Sequence, residues 1–218
     1  VLVVPVILVL FPAVLPVLFV AVIPVLGPVV ITVHDVAGIP VHDAAVITVL
    51  YAAVIPVHDA ALITVNDTIG ITVLYAAVIT VHDAASITVL YAAVITVDTV
   101  VVITVEDADI FRVDDATVMT VNALSCFGDA NVMTVHDADV MTVHDADVIT
   151  VHNATDINVH DAAVISVGDV AVITILYAAV ITVHDATVIT GHDADVIIVL
   201  YAAVITVHDA VYDVVVRG

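Results

Sequence analysis

An eight-residue unit, Val-[His/Leu]-[Asp/Tyr]-Ala-Ala-Val-Ile-Thr, recurs along almost the whole chain and constrains the fold more than any other feature. With slot 1 set at Val1, the frame of eight runs without a gap to Thr120 and gives fifteen units. Clear copies are VHDAAVIT at 41–48, VLYAAVIP at 49–56, VHDAALIT at 57–64 and VLYAAVIT at both 73–80 and 89–96. One octad cannot bury an apolar face by itself, whereas stacked octads can, so the pattern predicts a repeat array.

The frame predicts four segments. An octapeptide block spans 1–120, with an apolar, Pro-rich start at 1–33. A phase break or loop follows at 121–134, beginning VNALSCFG and holding the single cysteine, Cys126. A second octapeptide block spans 135–214, and a tail spans 215–218. The break is two residues short of a multiple of eight, which marks it as a loop or a boundary between two blocks.

Slots 6, 7, 8 and 1 read Val-Ile-Thr-Val, four β-branched residues in a row, which favour a pleated strand over a helix. A period of eight also drifts around a helix, whose two turns take about 7.2 residues. Slot 7 stays Ile, Met, Leu or Phe until the fraying last unit, and slot 1 stays Val apart from Ile175 and Gly191, so these two slots are expected inside. Slot 8 accepts Pro, Ser, Asn158 and Arg112, and slot 6 accepts Gly70, Ser86 and Asp156, so both are expected outside. That alternation is the signature of a half-buried strand. Slot 4, mostly Ala, fits an inward corner, and slots 2, 3 and 5 are expected to form the turn. The fold expected is all-β, a repetitive β-solenoid resembling a parallel β-helix and built from octapeptide strand-turn units. The alternative is a cross-β or otherwise aggregation-prone assembly, because AVITV segments are short, apolar and uncharged. Leu-Tyr units recur at spacings of both sixteen and twenty-four residues, which leaves two or three octads per coil open.

Residues 1–33 have no ionisable side chain, which makes them a candidate for membrane contact or a signal segment. Pro5, Pro12, Pro16, Pro24 and Pro28 oppose a lipid-exposed helix, and AVIP at 21–24 keeps the octad frame, so a degenerate start to the array is the expectation. Proline at slot 8 in the early units removes a ladder donor and should make the N-terminal part stack less regularly. A first residue of Val predicts that the chain is a fragment or a processed product.

The net charge is −22, almost all from Asp, with Arg112 and Arg217 the only basic residues. Such a balance excludes nucleic acid as a partner held by electrostatic attraction. Apolar residues make up 63%, against a usual share of about 45–50%, and self-association is the expected partnership.

All eleven His occupy slot 2, each followed by Asp except at His152-Asn153. In a register stack the slot 3 Asp residues lie about 4.8 Å apart and repel. Bound cations, protonated His or neutral Tyr would relieve them. The HDAD units add a second carboxylate and are the candidate metal ligands: His136, Asp137 and Asp139; His144, Asp145 and Asp147; His192, Asp193 and Asp195. Zn²⁺ wants three or four ligands and Ca²⁺ six or more oxygens, which no single octad supplies, so adjacent octads must cooperate. The plainer reading is a solvated acidic face with Ca²⁺ or Zn²⁺ held loosely. Protonating the His column below the ordinary histidine range would halve the net charge and ease repulsion, although a duplicated exposed His needs no sensing role.

No catalytic or organic-cofactor site is expected. Ser125-Cys126 and the many His-Asp pairs can be assembled into a triad only by coincidence of repetition, and no nucleophile elbow, phosphate loop or zincin helix is present. Asn66-Asp67-Thr68 and Asn153-Ala154-Thr155 are sequons that matter only in an exported chain.

The pattern Tyr-small-small-x-aliphatic-Thr in VLYAAVIT resembles the octapeptides of bacterial ice-nucleation proteins, whose stacked coils present rows of Thr to water. The likeness covers the periodicity and few identities: slot 6 is Val where that family usually has Thr, and Ala largely replaces its Gly and Ser. It implies a water-facing Thr column at Thr48, Thr64, Thr72, Thr80, Thr88 and Thr96. The leading expectation is a non-enzymatic structural or surface-interaction protein that presents an acidic, regular β face. The others are a divalent-cation array, an ordered-water Thr ladder, and a translated tandem repeat without evolved function. The last has a motive in the single-base changes that convert His-Asp into Leu-Tyr codons, a mark of recent duplication.

Overall fold

The computed structural model describes residues 14–22, 25–26, 30–38, 40–122, 132–208 and 210–215. All regular structure among them is β and the strand pairing is parallel. The elements are β1 (Val14–Val22), β2 (Val25–Leu26), β3 (Val30–Gly38), β4 (Val41–His42), β5 (Ala44–Val121), β6 (Val132–Val143), β7 (Ala146–Val207) and β8 (Ala210–Val215). The chain divides into two compact units at Val105–Glu106, within β5.

In the first unit β3 lies between β1 and β5. Val14 pairs with Val30 and Val30 with Val46, each sixteen residues on. Sixteen is two octads, so every slot meets the same slot of the octad two places along. The apolar start obeys this rule: Pro16 pairs with Thr32, both slot 8, and Leu18 with His34, both slot 2. Residues 14–22 are therefore strand in the common frame, while 1–13 lie outside the described residues. No described helix is long and apolar enough to cross a membrane.

In the second unit β6 lies between β5 and β7. Here Ile110 pairs with Val132, twenty-two residues on, and Val132 with Val148, sixteen on. The extra six residues fall between Val121 and Val132, and like slots still meet: Val113 with Val135, Asp115 with Asp137, Met119 with Met141. The phase break is thus an insertion across which the register is kept. The part of it holding Ser125 and Cys126 lies outside the described residues.

Burial follows the slots. Slot 7 is buried at every position from Ile47 to Met119 and from Met133 to Ile197, and slot 1 from Val33 to Val121 and from Val135 to Val199. Each enclosed Ile contributes about 1.5–3 kcal/mol of hydrophobic stabilisation, repeated along the array. Ile205 and Val207 are half-buried, where the pattern frays. Slot 4 is the small third inward position, as at Ala44, Ala60, Ala84 and Ala116. Where Thr68 replaces Ala in that slot, its buried hydroxyl donates to the Gly70 carbonyl at 3.4 Å.

The expected division into strand and turn is only half right. Slots 2, 3 and 5 do face outward, but they do not leave the ladder, since β5 is continuous for 78 residues and β7 for 62. The in-out alternation breaks at two outward pairs, slots 2–3 and 5–6, and the chain bends at the first of them at Asp43 and at His144–Asp145, while elsewhere the backbone groups keep pairing with neighbouring octads. A parallel array allows this because each period repeats the path of the last, so a bend in one is matched by a bend in the next. β4 ends where Asp43 adopts a left-handed φ of 59°, and Asp35 has a φ of 56°, a conformation that Asp tolerates better than most residues.

Candidate functional site

The sixteen-residue period converts each slot into columns, and two kinds of surface result. The bend region, slots 2 to 5, carries His, Asp and Tyr, and the straight segments, slots 6 to 8, face outward at slots 6 and 8.

At the bends of the second unit, slots 3 to 5 form two acidic grooves. One, of about 470 Å³, is lined by Asp115, Asp137, Asp139, Asn153, Asp169 and Asp185, with Ala, Thr and Val between them. The other, of about 460 Å³, is lined by Asp145, Asp147, Asp161, Tyr177, Asp193 and Asp195. The candidate carboxylates are thereby split, with Asp137 and Asp139 in the first groove and those of the other two HDAD units in the second. Within the second groove, Asp161 and Tyr177 stand in the periods between Asp145 and Asp193.

The histidines of the three candidate units line neither groove. Their rings stack along the slot 2 column instead. His136 lies 4.5 Å from His152 and His192 lies 5.2 Å from His208, both stacked, while His144 lies 5.8 Å from His160 in a tilted pair. Among the described residues no three His, Cys, Asp or Glu side chains converge as a metal site would require.

Repulsion down the acidic columns is relieved locally. The Asn153 amide donates to Asp137 at 2.8 Å, and the Asn122 amide to Glu106 at 3.2 Å, each across one period. His82 Nδ1 meets the Asp98 carboxylate across one period as well. Arg112 pairs with Asp114 at 3.2 Å. Asn153 stands where an unbroken slot 3 column would set Asp over Asp137, whereas the others give a partner to acidic residues that stand in slot 2, where the repeat usually has His. The single Asn in a His-Asn pair, conspicuous in the sequence, was the signal for the first of them.

The straight segments behave differently. In the first unit one row has slot 6 occupied by Val30, Val46, Leu62, Val78 and Val94, and slot 8 by Thr32, Thr48, Thr64, Thr80 and Thr96. Its partner row reads Gly38, Val54, Gly70, Ser86 and Val102 in slot 6, and Pro40, Pro56, Thr72, Thr88 and Thr104 in slot 8. Thr48, Thr64, Thr80 and Thr96 are half-buried, with hydroxyls at the boundary of the sheet and solvent. The Thr column expected from the sequence is therefore two columns. Thr48, Thr64, Thr80 and Thr96 stand in one, and Thr72 and Thr88 in the other.

In the second unit the row that begins at Ile110 and Arg112 continues through Val132 and Thr134 to Val148 and Thr150. The row that begins at Val118 and Thr120 is interrupted by Asp156 and Asn158, joined by a 3.4 Å hydrogen bond. No protein family, curated protein or solved structure matches this chain significantly.

Proposed function

We propose that the chain is a non-enzymatic scaffold, a β-solenoid of two octads per coil whose role is to present regular surfaces to its surroundings. The observation that carries this reading is the parallel register, sixteen residues at β1–β3, β3–β5, β6–β7 and β7–β8 and twenty-two across the insertion, which sets like slots over one another and turns single side chains into columns. A face made of columns has no unique centre, which suits repetitive contact and self-association rather than turnover of a substrate. The acidic bends keep such a scaffold soluble and hold cations diffusely as counterions.

Deletion of whole units tests it. Removing residues 81–96 takes out one coil and should leave the circular dichroism spectrum β-type, with a proportionally lower cooperative stability. Removing only 81–88 exchanges the two rows for every later octad and should cost far more. Equal tolerance of both deletions would overturn the two-octad coil.

A second reading is favoured by the row of the first unit that runs from Val30 to Thr96, which offers Thr hydroxyls at a fixed repeat on an otherwise aliphatic strip: an ordered-water surface, as the resemblance to ice-nucleation octapeptides implies. Thermal hysteresis and droplet-freezing assays decide it. Activity lost in Thr64→Glu and kept in Thr72→Glu supports the reading, and no activity in the parent chain removes it.

A further inference from the structure

Five tyrosines stand in slot 3, and the sixteen-residue period sorts them unequally. Tyr51 tilts against His34, Tyr177 against His160 and Tyr201 against His184. Only Tyr75 and Tyr91, among the described residues, meet each other. Their rings are 5.1 Å apart between centroids and 6° from parallel, and they are 45% and 43% exposed. Both rings therefore lie open to a reagent in solution while being held face to face by the ladder beneath them.

We propose that Tyr75 and Tyr91 form an oxidative cross-linking site, at which a one-electron oxidant of the haem peroxidase class, working with hydrogen peroxide, joins them as dityrosine. Each phenol gives up one electron and its hydroxyl proton, leaving two phenoxyl radicals whose unpaired spin is shared with the ring carbons ortho to oxygen. Those carbons form one C–C bond, and the hydrogen on each moves to its phenolic oxygen, restoring both aromatic rings. The two electrons and two protons released reduce one hydrogen peroxide to two waters, so the chain loses two hydrogens in all. Parallel stacking in adjacent periods brings the ortho carbons together without a diffusive encounter. The net charge of −22 keeps separate chains apart at low ionic strength, which favours the bond within a chain over one between chains. The product closes a sixteen-residue loop and staples one period to the next, removing conformational freedom from the unfolded chain.

The site rests on the two-octad period, and the test separates the two. Dilute full-length protein is treated with horseradish peroxidase and hydrogen peroxide, then cleaved before Asp, which places Tyr75 in a 67–82 peptide and Tyr91 in an 83–97 peptide. The expected result is dityrosine fluorescence, a monomer lighter by two hydrogens, a linked 67–82/83–97 pair and a raised melting temperature. Tyr91→Phe should abolish the linked pair, and Tyr51→Phe should leave it. Cross-links chiefly between chains, linkage through other tyrosines, or no product where free N-acetyltyrosine amide couples would overturn the proposal. A β-type spectrum alongside any of those results confines the failure to the tyrosine pair, whereas loss of the β-type spectrum in the parent chain overturns the stack as well.

Discussion

The two rows of the first unit are built from the same octad, yet one is uniform and the other is interrupted at most periods. From Val30 onward the row holding Thr32, Thr48, Thr64, Thr80 and Thr96 keeps a β-branched hydroxyl in slot 8 and an aliphatic side chain in slot 6, with Pro16 in slot 8 one period earlier. Its partner has Pro40 and Pro56 in slot 8 and Gly38, Gly70 and Ser86 in slot 6. Both share one kind of core, since Ile47, Ile55, Ile63 and Ile71 alternate between the rows and are equally buried. The difference teaches that the inward slots are held by packing on every period, while departures on the outward slots collect in one row. An interrupted row still closes the core, but only the uniform one offers a repeating surface.

Exchanging residues between the rows probes this most strongly. Thr64→Pro puts into the uniform row the residue its partner already carries at Pro56. It removes a ladder donor in the interior of β5, and a loss of about 3 kcal/mol is expected in chemical denaturation. If the loss is negligible, slot 8 contributes no ladder bond there and the two rows are equivalent in stability. The reverse change, Pro56→Thr, should stabilise by about 1 kcal/mol through the recovered hydrogen bond, and an unchanged midpoint would mean that the ladder has adapted to proline.

Glycines sharpen the same comparison in the second unit, with opposite signs. A Cβ on Gly168 would lie 2.6 Å from the His152 carbonyl oxygen, so the backbone must shift, and Gly168→Ala should cost about 1–3 kcal/mol. Gly191 occupies a core slot that is Val or Ile elsewhere, and a Cβ there would meet Val207 and Ile197 at 3.9 and 4.0 Å, ordinary contact. Gly191→Ala should therefore raise stability by about 0.4–1 kcal/mol, read from the denaturation midpoint. A destabilised Gly191→Ala chain would show that this row needs the glycine for its backbone path.

The smallest effect expected concerns cations. Because the candidate histidines stack in columns and their carboxylates divide between two grooves, Ca²⁺ or Zn²⁺ at millimolar concentration should raise the melting temperature no more than NaCl of matched ionic strength. A larger, saturable rise with either metal would establish specific sites in the grooves and make the acidic bends, rather than the rows, the functional surface.

Much of this was legible in the residues. The restriction of slot 7 to bulky apolar residues and of slot 1 to Val, apart from Ile175 and Gly191, marks the core, because a packed interior tolerates little change in volume. The continuation of the frame through Pro16 and Leu18 showed that the apolar start belongs with the rest, at least from Val14 onward. The columns were not legible. Tyr75 follows Tyr51 by twenty-four residues and precedes Tyr91 by sixteen, so spacing supports either coil size, and each size pairs different side chains. The split of the HDAD residues between ring column and groove was not legible for the same reason: adjacency in sequence puts His136 beside Asp137, but the stack turns the ring toward His152 and the carboxylate toward Asn153.

By itself, then, the sequence determined the strand-forming unit, its inward and outward slots and its excess of negative charge, all of which depend on side-chain volume, branching and ionisation within one octad. The tertiary structure alone decided that octads pair two apart, that the six-residue insertion leaves the register intact, and that Tyr75 meets Tyr91. These depend on which period lies over which, a long-range choice set by how the backbone closes each turn of the ladder, and identical octads carry no local mark of it.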